Sequence, residues 1–275
     1  MELANALRTL GEHETALALY REAIASWDAA DYDHPRVGVA LTALASCASV
    51  VGEYDAAAAA LERSTALALR FEGEDSVSYG NALAGQGAQA LRLGQAERAV
   101  EFYESAVAVL EPAGDELALA IVRLNLGAVL KSAGRPQAAV ELLEPAMAVL
   151  AEWLEPTDPR IANGRGHLAG VYRDLERPSD AARELAAYLE VRWSLRPDPP
   201  TQTADLIGAV GNFHVDAGEF EAAEAELVRA FEIARDEVGR DSEIYATAER
   251  NLRFLIEAWD DDEARTRIAA LIAGD

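Results

Sequence analysis

Apolar residues recur at intervals of three and four along almost the whole chain, which is the spacing of an amphipathic helix and not the alternation of a strand. Two kinds of segment interrupt this pattern. One is a tight turn that usually contains a glycine, and the other is a longer polar loop rich in Pro, Asp and Ser. The pattern therefore predicts an all-α protein built from helical hairpins.

The predicted hairpin repeats at a nearly constant interval of 40 to 42 residues between successive turns. A degenerate seventh copy has its turn near Trp259. Glycine suits such a turn because it adopts the left-handed conformation at little cost. We predict about seven stacked repeats in a single array over residues 1–275. The turns of the six clear copies are at Gly11, Gly52, Gly94, Gly134, Glu176 and Gly218.

Small and large residues alternate at fixed distances from each turn, as expected where helices interdigitate. Seven residues before the turn stand the small residues Ala4, Ala45, Gly87, Gly127, Ala169 and Gly211. Five residues after it stand Ala16, Ala57, Ala99, Ala139, Ala181 and Ala223. Nine residues after it stand the large partners Tyr20, Leu61, Tyr103, Leu143, Leu185 and Leu227.

This register of small residue, turn glycine, alanine and large apolar residue resembles the tetratricopeptide repeat (TPR) over essentially the whole chain. A unit of 42 residues, with loops such as His34-Pro35 and Asp158-Pro159, is similar to the longer kinesin-light-chain variety. Two departures are Glu176 at a turn and Tyr188 where a small residue is usual late in the second helix. A HEAT-like solenoid is the alternative fold, although it would not require paired small positions in every copy. The resemblance implies a right-handed α-solenoid, a superhelix whose first helices line a concave groove.

The resemblance also implies that the side chains three, six and thirteen residues before each turn face the groove. Asparagine amides can satisfy the N–H and C=O groups of an extended peptide, while cations can bind an acidic side chain or a terminal carboxylate. Lys131 and Arg173 are equivalent in adjacent repeats, so we expect them to project side by side. In the opposing interpretation these cations merely pair with nearby acids. The candidate groove residues are Asn5, Arg8, Ser46, Asn81, Leu91, Lys131, Asn163, Arg173 and Asn212; Ser49 and Val215 share the register of Arg8.

Composition narrows the class of partner. The net charge of -24, from 48 acidic and 24 basic residues, disfavours nucleic acid and anionic membrane surfaces. The sequence has neither a signal peptide nor an apolar run of the roughly 18 residues that a membrane span needs. Its single cysteine excludes an internal disulfide. These features predict a cytoplasmic protein, and the abundant alanine with a single lysine is typical of a GC-rich bacterial genome.

Residues for catalysis or for binding a metal or cofactor do not converge in the sequence. The four histidines fall in different repeats, Cys47 lies in an apolar helix and is predicted to be buried, and the acidic run at 260–262 complements a helix dipole. A G-x-G-x-x-A run starts at Gly85, but it lies inside a predicted helix, whereas a dinucleotide site needs a strand before it. Gly87 then occupies the small position that recurs in each repeat. Gly85 has no such position, and is either a flexible point in the third repeat or incidental drift of the sequence with no structural role.

The sequence therefore predicts a non-enzymatic scaffold, with no cofactor, that binds a peptide or protein segment in its concave groove. The alternative is a regulatory sensor module that changes conformation on binding a peptide or partner domain and controls a separate effector. An enzyme is the least favoured class, because a solenoid spreads its residues along a line. The short first helix fits either a natural blunt cap or an excerpt of a longer chain or complex.

Overall fold

The computed structural model of the protein describes residues 1–32, 34–195 and 199–274. Over these ranges the regular structure is entirely helical, with fourteen α-helices, one short π-helical segment and no strand. The predicted polar loop that starts at Arg196 lies partly outside the described residues. The prediction of an all-α fold made of TPR-like helical hairpins is confirmed.

The chain divides into two compact units, Met1–Arg135 and Pro136–Asp275. The first unit contains α1 (Glu2–Thr9), α2 (His13–Ala29), α3 (Pro35–Val50), α4 (Tyr54–Phe71), α5 (Val77–Arg92), α6 (Ala96–Ala113) and α7 (Glu116–Ser132). The second unit contains α8 (Pro136–Trp153), α9 (Pro159–Asp174), α10 (Pro178–Leu195), α11 (Pro200–Asp216), α12 (Phe220–Ile233), the π-helical segment Ala234–Val238, α13 (Glu243–Ala258) and α14 (Asp262–Ala273).

The backbone at the six clear turns is left-handed. The five turn glycines have φ between 72° and 86°, and Glu176 has φ 56°. Five of the six turns close with the same pair of hydrogen bonds; in the third repeat, Gln95 N donates to Ala90 O at 2.9 Å and Gly94 N donates to Leu91 O at 3.0 Å. The turn at Gly52 has the first bond of the pair, from Glu53 N to Ala48 O at 2.8 Å. These bonds satisfy carbonyls at the end of the first helix. The seventh turn differs, because Trp259 has an extended backbone with φ -101°.

The repeated small and large positions form the core of each unit. All six alanines five residues after a turn have 0% exposure, and the large residues nine after it are at most 9% exposed. Glycine at the small position permits the closest approach: a Cβ on Gly87 would lie 3.1 Å from the ring of Tyr103. The alternation seen in the sequence is therefore the interdigitation of paired helices.

Helices that follow one another pack together within each unit. In the first unit, α3 also contacts α5 and α5 contacts α7; in the second, α11 contacts α13. These are the first helices of successive repeats, so they lie side by side and form one wall of their unit. No helix in the described ranges is both long and apolar enough to cross a membrane.

Candidate binding surface of the first helices

In the first unit, most of the candidate groove residues are solvent-exposed. Asn5, Ser46, Asn81 and Leu91 are exposed, while Arg8 and Lys131 are half-buried. Leu91 keeps 43% of its surface in solvent and so adds an apolar side chain to this surface. The wall of first helices thus presents amide, hydroxyl and apolar groups to solvent.

Two N-terminal candidates are partly engaged by the core. The hydroxyl of the fully buried Tyr20 donates to Asn5 Oδ1 at 2.5 Å. This bond orients the amide, so that its nitrogen is a donor with a fixed position. The Nε atom of Arg8 is buried with no hydrogen-bond partner among the described residues.

Ser49 and Val215 do not face solvent, although they share the register of Arg8. They are 6% and 7% exposed. Ser49 donates its hydroxyl to Gln89, whose Nε2 donates to the carbonyl of Tyr54 at 3.1 Å. The expectation that every residue three before a turn lines the groove is therefore wrong at these two positions, where α3 and α11 rotate that side chain into the core.

In the second unit, Asn163 and Arg173 are exposed and Asn212 is half-buried. Arg173 donates from Nε and Nη2 to Asp174 Oδ1, at 3.1 Å and 3.0 Å. The Oδ1 atom of Asn212 is buried and has no hydrogen-bond partner in the parts of the chain that the structure describes. Lys131 belongs to the first unit, so its expected position beside Arg173 stays a prediction.

A cleft of about 290 Å³ lies at one corner of the second unit. It is formed where α9 and α11 end and where α10 begins. Its lining residues are Arg173, Glu176, Pro178, Phe213 and Asp216. Sequence reasoning singled out Arg173 for the groove but did not find the other four.

Glu219 connects the helices around this cleft through hydrogen bonds. The Ser179 hydroxyl donates to Glu219 Oε1 at 2.7 Å, and His214 Nδ1 lies 2.6 Å from Glu219 Oε2. The hydrogen bond from Ser179, followed by that of His214, lowers the pKa of the Glu219 carboxyl. These contacts connect the first turn of α10 to the turn between α11 and α12, and so hold the elements that line the cleft.

Gly85 has a packing role that neither sequence interpretation provided. A Cβ at this position would lie 2.6 Å from Leu61 Cδ2 and 3.8 Å from Thr42 Cγ2. Because Leu61 is 3% exposed, the glycine lets α5 approach α4 and is not incidental drift.

The side chains that could bind a metal ion or act as nucleophiles are dispersed. Among the described residues no three His, Cys, Asp or Glu side chains are grouped to hold a metal ion. His34 Nδ1 accepts a hydrogen bond from Arg36 N at 3.1 Å and so caps α3. Cys47 is completely buried, and burial raises the pKa of its thiol against the opposing charge of Arg8. Both arrangements stabilise helices and do not activate a nucleophile.

The helical hairpins, their turns and their buried small residues agree with a comparison against known families. A profile described as Tetratricopeptide repeat matches residues 1–70 and 115–192, which together exceed half of the chain. The protein belongs to the tetratricopeptide repeat family. In fold, its TPR units are similar to those of kinesin-light-chain-like proteins. No sequence among curated proteins matches the chain.

Three solved structures illustrate the similarity of fold. A kinesin-light-chain-like protein from P. anserina with nearly identical TPR-like repeats has a TM-score of 0.59 and 20% identity, over 74% of this chain and 99% of that one. YrrB, described as a TPR protein with an unusual peptide-binding site, has a TM-score of 0.54 and 19% identity over 84% and 97%. A STAND protein with a TPR sensor, PH0952 from Pyrococcus horikoshii, has a TM-score of 0.67 and 14% identity. That match covers 100% of this chain but 41% of the STAND protein, and at these identities each similarity concerns the fold alone.

Proposed function

We propose that this TPR protein is a non-enzymatic scaffold that binds a peptide or protein segment along the first helices of its repeats. One observation carries the proposal: the first helices of several repeats keep polar side chains in solvent at equivalent positions, although neighbouring positions are buried. Asn81 and Asn163 are the exposed pair thirteen residues before their turns, and Asn5 and Ser46 are the exposed pair six before theirs. A repeated polar register matches the repeated N–H and C=O groups of an extended peptide.

The family and one of the similar structures support the same function. TPR proteins generally bind protein or peptide partners, and YrrB is described as carrying a peptide-binding site. The exposed side chain of Leu91 adds apolar contact area, and Arg173 adds a guanidinium at the wall of the second unit. The charge of -24 disfavours nucleic acid as the partner. We further propose one continuous array over residues 1–275 and a cytoplasmic location, which the low cysteine content supports.

Affinity capture from the native lysate tests the scaffold. The wild-type protein is compared with a Lys131→Glu, Arg173→Glu double variant and with an Arg98→Glu, Arg229→Glu control. The control makes the same change of net charge on second helices, in α6 and α12. We expect a specific partner to be captured by the wild type and the control but lost from the Lys131→Glu, Arg173→Glu variant. Equal capture by all three proteins would refute binding through the first helices.

A sensor module is a second candidate. It is favoured by the similarity of the whole chain to part of a STAND protein described as having a TPR sensor. A sensor must differ in conformation between its free and bound states, because a ligand shifts only states that it binds differently. Small-angle scattering of the free protein and of its complex with the captured segment distinguishes the two functions. If the scattering curve changes more than the added mass of the segment explains, the protein changes conformation and the sensor is supported. If the added mass alone explains the change, the scaffold is supported.

A further inference from the structure

The corner cleft of the second unit has the size of a side-chain pocket. Its volume of about 290 Å³ is at or below the lower limit of roughly 300 Å³ for pockets that hold small molecules. Phe213 and Pro178, both half-buried, supply its apolar surface, while Arg173, Glu176 and Asp216 supply its charges. A pocket of this size and lining suits the end of one long side chain of a bound partner.

The charges of the cleft do not cancel. Arg173 is bound through two of its nitrogens to the carboxylate of Asp174. The carboxylates of Glu176 and Asp216 make no hydrogen bond or ion pair to any residue that the structure describes. Two uncompensated carboxylates beside a compensated guanidinium leave the cleft negative, in a chain whose net charge is already -24.

We propose that the cleft binds an arginine side chain of the partner segment. A guanidinium is planar and offers five N–H donors, so it can donate to the carboxylates of Glu176 and Asp216 while its flat face lies on the ring of Phe213. Lysine is a poorer fit, because its ammonium has neither the flat face that stacks on an aromatic ring nor the fixed fork of donors that binds a carboxylate through two hydrogen bonds. This assignment rests on the proposed function and makes it specific: the segment that binds the second unit carries an arginine at this corner.

The turn sequence agrees with a role for the Glu176 side chain. Five of the six clear turns use glycine, and the sixth places Glu176 at φ 56°, a conformation that costs an L-residue backbone free energy. A Cβ at the glycine turns meets no atom within 4 Å, so packing does not demand a side chain at such a turn. What Glu176 adds over glycine is a carboxylate in the cleft.

Backbone amide chemical shifts of the full-length protein test the assignment, with Nα-acetyl-arginine amide as the probe. Nα-acetyl-glutamine amide and Nα-acetyl-glutamate amide are the neutral and anionic comparisons. We expect arginine to shift amides at 173–177 and 213–216 in a saturable manner, and the neutral analogue to have little effect. In a Glu176→Gln, Asp216→Asn variant the apparent affinity should fall roughly fivefold or more, which corresponds to the loss of exposed charge pairs. A Glu257→Gln variant, which neutralises an exposed acid of α13, should bind as the wild type does.

Several results would overturn the assignment: equal shifts with glutamine, stronger binding of glutamate, shifts confined to other residues, or full binding by the Glu176→Gln, Asp216→Asn variant. The captured partner separates this failure from failure of the scaffold. If the Glu176→Gln, Asp216→Asn variant captures the partner normally while the Lys131→Glu, Arg173→Glu variant does not, the cleft assignment is wrong and the scaffold stands. If both capture it normally, the scaffold is wrong as well.

Discussion

Leu227 packs directly on Gly211, so that α11 and α12 come into close contact at the small position of the sixth repeat. A Cβ on residue 211 would stand 2.6 Å from Cγ and Cδ2 of Leu227 and 3.3 Å from its backbone nitrogen. Leu227 is 1% exposed, and its surroundings leave it no space to move aside. The glycine is therefore required by packing, although it lies in the interior of a helix.

This relationship predicts that Gly211→Ala destabilises the protein. Alanine improves helix propensity by about 1 kcal/mol, but overpacking a core costs roughly 1 to 3 kcal/mol, so the net effect is a loss. Gly208 in the same helix is the matched control, because its Cβ would meet Asn251 Nδ2 at 3.4 Å and Ala230 Cβ at 3.9 Å. Thermal unfolding followed by circular dichroism should give a lower midpoint for Gly211→Ala and an unchanged or higher one for Gly208→Ala. The reverse order would contradict the packing argument.

The turn of the fifth repeat predicts a substitution that stabilises the protein. Glu176 occupies a left-handed conformation that glycine adopts without steric cost, so Glu176→Gly should raise the free energy of unfolding by about 1 kcal/mol. Gly134→Ala is the converse control: φ is 72° there and nothing lies within 4 Å of a Cβ, so a loss reflects the backbone alone. Denaturant unfolding measures both. A stable Gly134→Ala variant, or a destabilised Glu176→Gly variant, would show that the turn conformation is not the controlling factor.

Local rules explain why so much of the fold follows from the sequence. A glycine turn, an alanine five residues later and a large residue nine residues later each depend on neighbours within one hairpin, and burial of Ala99 and Tyr103 agrees with that register. Tyr188, which departs from the usual small residue, is accommodated by Gly166, since a Cβ there would touch its ring at 3.5 Å. That compensation joins two helices and is invisible to a pattern read along one of them.

The binding surface was less predictable, because it depends on how each helix is rotated against its neighbours. Ser49 and Arg8 share one register, yet Ser49 is buried on Gln89 whereas Arg8 is half-buried. Arg173 and Asp174 are adjacent in sequence, so their ion pair could have been anticipated. The cleft could not, since Phe213 and Glu176 approach only when α11 packs beside the turn of the preceding repeat.

The buried pair Ser49 and Gln89 predicts strong coupling between two polar residues of the first unit. They are 6% and 5% exposed, and the Ser49 hydroxyl donates to the Gln89 amide oxygen. Ser49→Ala leaves that oxygen without its donor, and Gln89→Leu leaves the hydroxyl without its acceptor, so each single variant should lose about 1 to 3 kcal/mol. The Ser49→Ala, Gln89→Leu double variant should lose less than the sum of the two. A double-mutant cycle in urea measures the coupling, and strict additivity would show that the hydrogen bond contributes nothing.

The N-cap of α9 predicts a stability difference that depends on pH. Asp158 Oδ1 accepts from Arg160 N and Nε, both at 2.9 Å, and the Arg160 hydrogen bond lowers the pKa of the Asp158 carboxyl against the opposing effect of burial. A carboxyl whose pKa is lower in the folded chain than in the unfolded chain binds its proton more weakly when folded. Its stabilising contribution is therefore complete above the unfolded value of about 3.9 and is lost as pH falls through the folded value.

Asp158→Asn keeps a capping oxygen but removes the charge, so it should unfold at a lower temperature than the wild type at pH 7. The gap should narrow at pH 3, which lies below the unfolded value of about 3.9, because the unfolded wild-type chain then takes up a proton that the folded carboxyl binds more weakly. The two pH values avoid the isoelectric point near 4.5. Asp115→Asn is the matched variant, because Asp115 Oδ1 caps α7 through Ala118 N at 2.9 Å without an arginine bound to it in the described structure. A gap for Asp158→Asn that stays constant from pH 7 to pH 3 would show that the ion pair with Arg160 does not contribute to stability.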